Sequence, residues 1–146
     1  MAFMKSVLFV CLLMQVCWTG GSPPTTVEVE LHVFSGRRDP VFVLHPNDNN
    51  YDVIVQKASE QSTTDWPSVL GYKGFTIKEF HGSSQAGSST EESEVSRVST
   101  VGRCTRVDFE LLLLNSITGK VPKGDDQPIS DSLLNYAKSD IDKCAS

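Results

Sequence analysis

The sequence predicts a small single α+β domain, a mostly antiparallel sheet with two or three short helices and one disulfide. Three observations carry that expectation. Branched apolar residues alternate with polar ones from Val27 to Val33, the period of a half-buried strand. Apolar residues recur at helical spacing from Tyr51 to Ala58 and again from Leu133 to Ile141. Two cysteines, Cys104 and Cys144, remain once an N-terminal leader is set aside.

The leader comes first. Lys5 supplies a positive n-region, an apolar run follows from Val7 to Trp18, and small residues stand at Thr19, Gly20, Gly21 and Ser22. That order predicts a secretory signal peptide over residues 1–21, with residues 22–146 as the secreted domain. The run falls short of the roughly 20 helical residues that cross a bilayer, so no membrane anchor is expected. About 125 residues remain, enough for one modest core and too few for two domains. An oxidising compartment makes a Cys104–Cys144 disulfide the simplest use of the remaining pair. Neither cysteine has a CxxC partner or a neighbouring histidine that would suggest a metal ligand or a nucleophile.

In the mature chain, Val27, Val29, Leu31 and Val33 form the apolar face of the first strand, and Glu28, Glu30 and His32 its polar face. Ser35-Gly36-Arg37-Arg38-Asp39-Pro40 breaks the pattern with turn-forming residues, Gly36 being a candidate for positive φ, and Val41–Leu44 resumes, so that the two runs read as a hairpin or a closely spaced strand pair. The polar stretch from His45 to Asn50 offers side-chain oxygens as N-caps for a helix through Tyr51, Ile54, Val55 and Ala58. Trp66-Pro67 marks a bend, and a further strand is expected from about Phe75 to Phe80. The Ser-, Gly- and Glu-rich stretch at about 81–94 has no large apolar residue to bury and reads as a flexible surface loop. Val95, Val98 and Val101 favour another strand. Leu111 to Leu114 has no diagnostic period, but leucine propensity and the early acids Asp108 and Glu110 favour helix from Val107 to Asn115. After a Gly/Pro loop, Ser130 or Asp131 can cap a last helix through Leu133, Leu134, Ala137 and Ile141, with Cys144 pinning its end.

The segment Phe34-Ser35-Gly36-Arg37-Arg38-Asp39-Pro40, followed by Leu70-Gly71-Tyr72-Lys73-Gly74-Phe75, resembles a pattern of small uncharacterised proteins that carry an FSGRxxP and an LGYxGF segment. The resemblance covers about residues 27–80. It implies a shared fold and no particular activity.

Charge and motifs narrow the chemistry. Loss of Lys5 takes the formal charge from −5 to −6, and no basic patch argues for nucleic acid or an anionic membrane. Arg37 and Arg38, beside a glycine turn, could present guanidinium forks to an anion or hold the loop through Asp39. With the aromatic residues Trp66 and Tyr72 they are the leading candidates for a binding surface. His32, His45 and His81 lack zinc-ligand spacing. Glu91, Glu92, Glu94, Asp125 and Asp126 offer oxygens for weak calcium binding without a helix-loop-helix frame, and no other cofactor is expected. There is no GxSxG, P-loop or dinucleotide fingerprint. The expectation is a secreted, non-enzymatic protein acting on extracellular matrix or protein partners, in an organic or calcified matrix. A soluble ligand-binding module or inhibitor is the alternative, and a small hydrolase with a site formed only in three dimensions a third.

Overall fold

A computed structural model describes residues 24–33, 36–61, 70–82 and 94–146. The expected leader, Trp66, Glu91 and Glu92 lie outside the described residues, as does most of the Ser/Gly/Glu-rich stretch. Four strands and three helices follow one another as β1 (Thr26–Val33), β2 (Val41–Leu44), α1 (Tyr51–Ser59), β3 (Tyr72–His81), β4 (Glu94–Gly102), α2 (Val107–Ile117) and α3 (Asp131–Cys144). All strand pairs are antiparallel and the sheet order is β2-β1-β3-β4. This is the α+β domain the sequence predicts, with its disulfide.

Alternation in β1 divides the sheet into two faces. Val27, Val29, Leu31 and Val33 are buried with Phe42 and Leu44 of β2 and with Phe75 and Ile77 of β3. Ile54 of α1, Phe109 and Leu113 of α2 and Ile141 of α3 close over them as one core. Glu28, Glu30 and His32 stand on the opposite face, opposite Lys78, Thr76 and Gly74. The leucine run is helical: Leu113 and Leu114 are buried, Leu111 and Leu112 half-buried.

Several expectations are corrected. The third strand begins at Tyr72 rather than Phe75. His81 and Glu94 belong to β3 and β4, not to a loop. No side-chain cap closes α1 or α3: Asn50 caps α1 in the left-handed conformation, and the Ser130 hydroxyl lies 3.1 Å from that of Ser132 instead. Asp48 works one step earlier, accepting the His45 N–H at 2.8 Å to shape the turn that leads into α1.

Tyr72 is the largest correction. It is fully buried, so it is no part of a binding surface. A β-bulge between the β1 pairs of His32 and Val33 sets Tyr72, not Lys73, opposite Val33 and turns its ring onto the core face against Phe75. Its hydroxyl donates to Glu110 Oε2 at 2.7 Å, and Glu110 Oε1 accepts the Arg106 N–H at the start of α2. Burial and the neighbouring Glu110 push the Tyr72 phenol far above its usual range, so it stays a donor.

The disulfide joins Cys104, just past β4, to Cys144, the last residue of α3, with Cα atoms 5.3 Å apart. Arg103 beside it reaches Asp140, one helical turn before Cys144, at 3.6 Å. Covalent and ionic links therefore tie α3 to the sheet at one place. Among the described residues no helix is long and apolar enough to cross a membrane.

Candidate functional site

The hairpin connection between β1 and β2 carries Gly36 at φ 70°, followed by Arg37 and Arg38, both exposed. Asp39 does not pair with either arginine. Its Oδ1 accepts the Val33 N–H at 3.1 Å and its Oδ2 lies 2.8 Å from His32 Nδ1, so the turn is held from the inside while both guanidinium groups face outward.

The segment between α2 and α3 is brought against this turn by three links. Lys123 N–H donates to Val41 O at 2.6 Å along the outer edge of β2, Lys123 Nζ pairs with Glu28, and Lys120 Nζ pairs with Asp48. Lys120 and the His45 N–H together hold the Asp48 carboxyl below its ordinary range. Between turn and segment runs a groove of about 300 Å³. Val33, Ile129 and Leu133 supply its apolar part, Pro40, Pro122 and Pro128 stiffen it, and Arg37, Arg38 and Asp125 add charge. An adjoining hollow of about 340 Å³ shares Arg38, Pro40 and Asp125 and adds Asp39 and Lys123.

Elsewhere most of the described cations have carboxylate partners. Lys57 and Arg106 pair with Asp108, Lys78 with Glu30, Arg97 with Glu79, Arg103 and Lys143 with Asp140, and Lys138 with Asp142. Arg37 and Arg38 have no ion pair among the described residues. Of the surface expected from sequence, the structure therefore unites Arg37 and Arg38 and excludes Tyr72. Of the calcium candidates, Glu94 opens β4 while Asp125 and Asp126 lie in the α2–α3 segment, Asp125 on the groove. Among the described residues these three form no ligand cluster.

A second constellation was not anticipated. One ligand atom each from Glu30, His32 and Asp39 lie within 4.8 Å of one another, all three residues half-buried on the face of the sheet opposite the helices. His32 Nε2 lies 2.8 Å from Thr76 Oγ1 on β3. The i, i+2 spacing of Glu30 and His32 on a strand was the available signal; the return of Asp39 across the turn had none.

No family model matches the chain, and no curated protein or solved structure does so either. The described part of the FSGRxxP segment, Gly36 to Pro40, forms the Arg37–Arg38 turn, and the LGYxGF segment runs into the bulged start of β3.

Proposed function

We propose that this chain is a non-enzymatic extracellular binding domain that takes an anionic group of its partner between Arg37 and Arg38. One observation carries the reading: in an acidic protein whose other described cations mostly have carboxylate partners, two adjacent arginines on a braced turn have none among the described residues. A guanidinium pair beside a proline-walled, partly apolar groove suits a carboxylate or sulfate carried on a larger molecule, with apolar contacts fixing its orientation. Two arginines suit one local anionic group rather than nucleic acid, whose binding draws on many phosphate contacts. The leader-like N-terminus and the disulfide support an extracellular setting, and an organic matrix rich in acidic polymers is the setting we propose.

The test uses protein recovered from the medium of secreting cells. N-terminal sequencing should begin near residue 22; a Met1 start would overturn the extracellular half of the reading. Retention on immobilised heparin and on poly-aspartate is then compared for the native chain, Arg37→Gln/Arg38→Gln and Lys138→Gln. Loss of retention in the arginine pair alone supports the site. Equal loss in Lys138→Gln, or no retention of the native chain on either polymer near physiological ionic strength, refutes it.

A further inference from the structure

We propose that Glu30, His32 and Asp39 form a site for a divalent transition-metal cation of the zinc class. The donor set is one imidazole nitrogen and two carboxylate oxygens, a borderline set that favours such ions over calcium. Backbone geometry places all three: strand alternation sets Glu30 and His32 side by side, and the Gly36 turn brings Asp39 back over them.

Two of the three ligands have supporting partners that survive metal binding. The Val33 N–H fixes Asp39 through Oδ1, leaving Oδ2 to ligate. Thr76 Oγ1 holds His32 through Nε2, leaving Nδ1 turned to Asp39. A hydroxyl both donates and accepts. Without metal, the proton can sit on Nδ1 toward Asp39 while Thr76 donates to Nε2; with metal on Nδ1, the proton moves to Nε2 and Thr76 accepts it. Neither state strands a ring nitrogen. This partnering of the second imidazole nitrogen is the arrangement that orients metal-bound histidines.

The fit needs small movements. Ligand atoms around a tetrahedral zinc ion lie roughly 3.3–3.5 Å apart; the His32–Asp39 pair at 2.8 Å must open slightly and the wider separations, up to 4.8 Å, must close. Lys78, now 3.4 Å from Glu30, is partly exposed and can swing away as the ion replaces its charge. Three protein ligands leave a coordination position for water or for a donor atom of a partner. The site shares Asp39 with the arginine turn but does not depend on anion binding there.

Tag-free chain, stripped with chelator and dialysed, is titrated with Zn²⁺ by calorimetry and with Co²⁺ by visible absorption, with Ca²⁺ as a control. Expected are one Zn²⁺ per chain, d–d bands of low-coordinate cobalt, and affinity at least tenfold above that for Ca²⁺. His32→Gln and Glu30→Gln should each abolish the cobalt bands. Thr76→Val, which touches no ligand atom, should weaken Zn²⁺ binding about 10- to 100-fold. Circular dichroism confirms that each variant is folded. Absence of Zn²⁺ binding, or binding and cobalt bands unchanged in folded Glu30→Gln and Thr76→Val, overturns the proposal.

Discussion

Replacing Tyr72 with Phe deletes one oxygen from the best-enclosed polar contact in the domain. The ring keeps its volume and its edge-on packing against Phe75, with centroids 5.9 Å apart. Glu110, fully buried, loses the donor to Oε2 and keeps only the Arg106 N–H on Oε1. A buried acceptor left without its donor costs about 1–3 kcal/mol, and a carboxyl falls at the upper end, so a loss of about 2–3 kcal/mol is expected. For a domain of this size that is a Tm lower by roughly 6–15 °C. Urea unfolding followed by circular dichroism should show the lower midpoint at an unchanged m-value. Glu110→Leu removes the other partner, and the double variant should be about 1.5–3 kcal/mol less destabilised than the sum of the singles. A Tyr72→Phe cost under about 0.5 kcal/mol, or additivity in the cycle, would refute the claim that this hydrogen bond holds β3 to α2.

Cys144→Ser opens a covalent loop of sequence separation 40 and should cost about 4 kcal/mol on the chain-entropy model, seen equally in the wild type under reductant; a loss under 1 kcal/mol would mean that core packing of Leu134, Ala137 and Ile141 with the Arg103–Asp140 pair secures α3 without it. Gly71 sits at φ 95°, where a Cβ would run into the Tyr136 hydroxyl, so Gly71→Ala should lower stability by about 1–2 kcal/mol in thermal melts, with part of the loss recovered in Tyr136→Phe/Gly71→Ala. The carboxyls of Asp48 and Asp108 are held below their ordinary range, chiefly by hydrogen bonds from Lys120 and Lys57 respectively. A depressed carboxyl contributes stability that is full above its unfolded pKa, about 4, and fades as pH falls through the folded value. The difference in urea midpoint between pH 6 and pH 3 should therefore be smaller in Asp48→Asn than in the wild type, and an equal difference would show that the Lys120 link contributes nothing. Arg37→Gln/Arg38→Gln should leave the unfolding free energy from urea titration within about 0.5 kcal/mol of wild type, since neither side chain carries an ion pair among the described residues; a larger fall would assign them a structural role.

What the sequence determines by itself is local periodicity. Alternation from Val27 to Val33 fixes which face of β1 meets the core, because strand side chains point to opposite sides in turn, and the 3.6-residue spacing of Tyr51, Ile54 and Ala58 fixes the buried face of α1. Leucine propensity with early acids favours the helix found as α2, though the continuous apolar run has no period of its own to decide it. The disulfide follows from arithmetic, two of the four cysteines remaining outside the expected leader, and from an expected oxidising compartment. Tyr72 could not be placed this way. Strict alternation from Phe75 would point Lys73 inward, and only the bulge, a property of how β3 registers against β1, exchanges the two. The arginine groove was half legible: the turn residues mark Arg37 and Arg38 as exposed, but its other wall comes from residues 122–133, held there by Lys123 against β2. The Glu30–His32–Asp39 cluster likewise needs the chain to reverse on itself before its ligand atoms meet. Contacts between residues close in sequence are set by backbone geometry and can be read along the chain; those between distant segments exist only once the whole core has chosen a register, and there the tertiary structure decides.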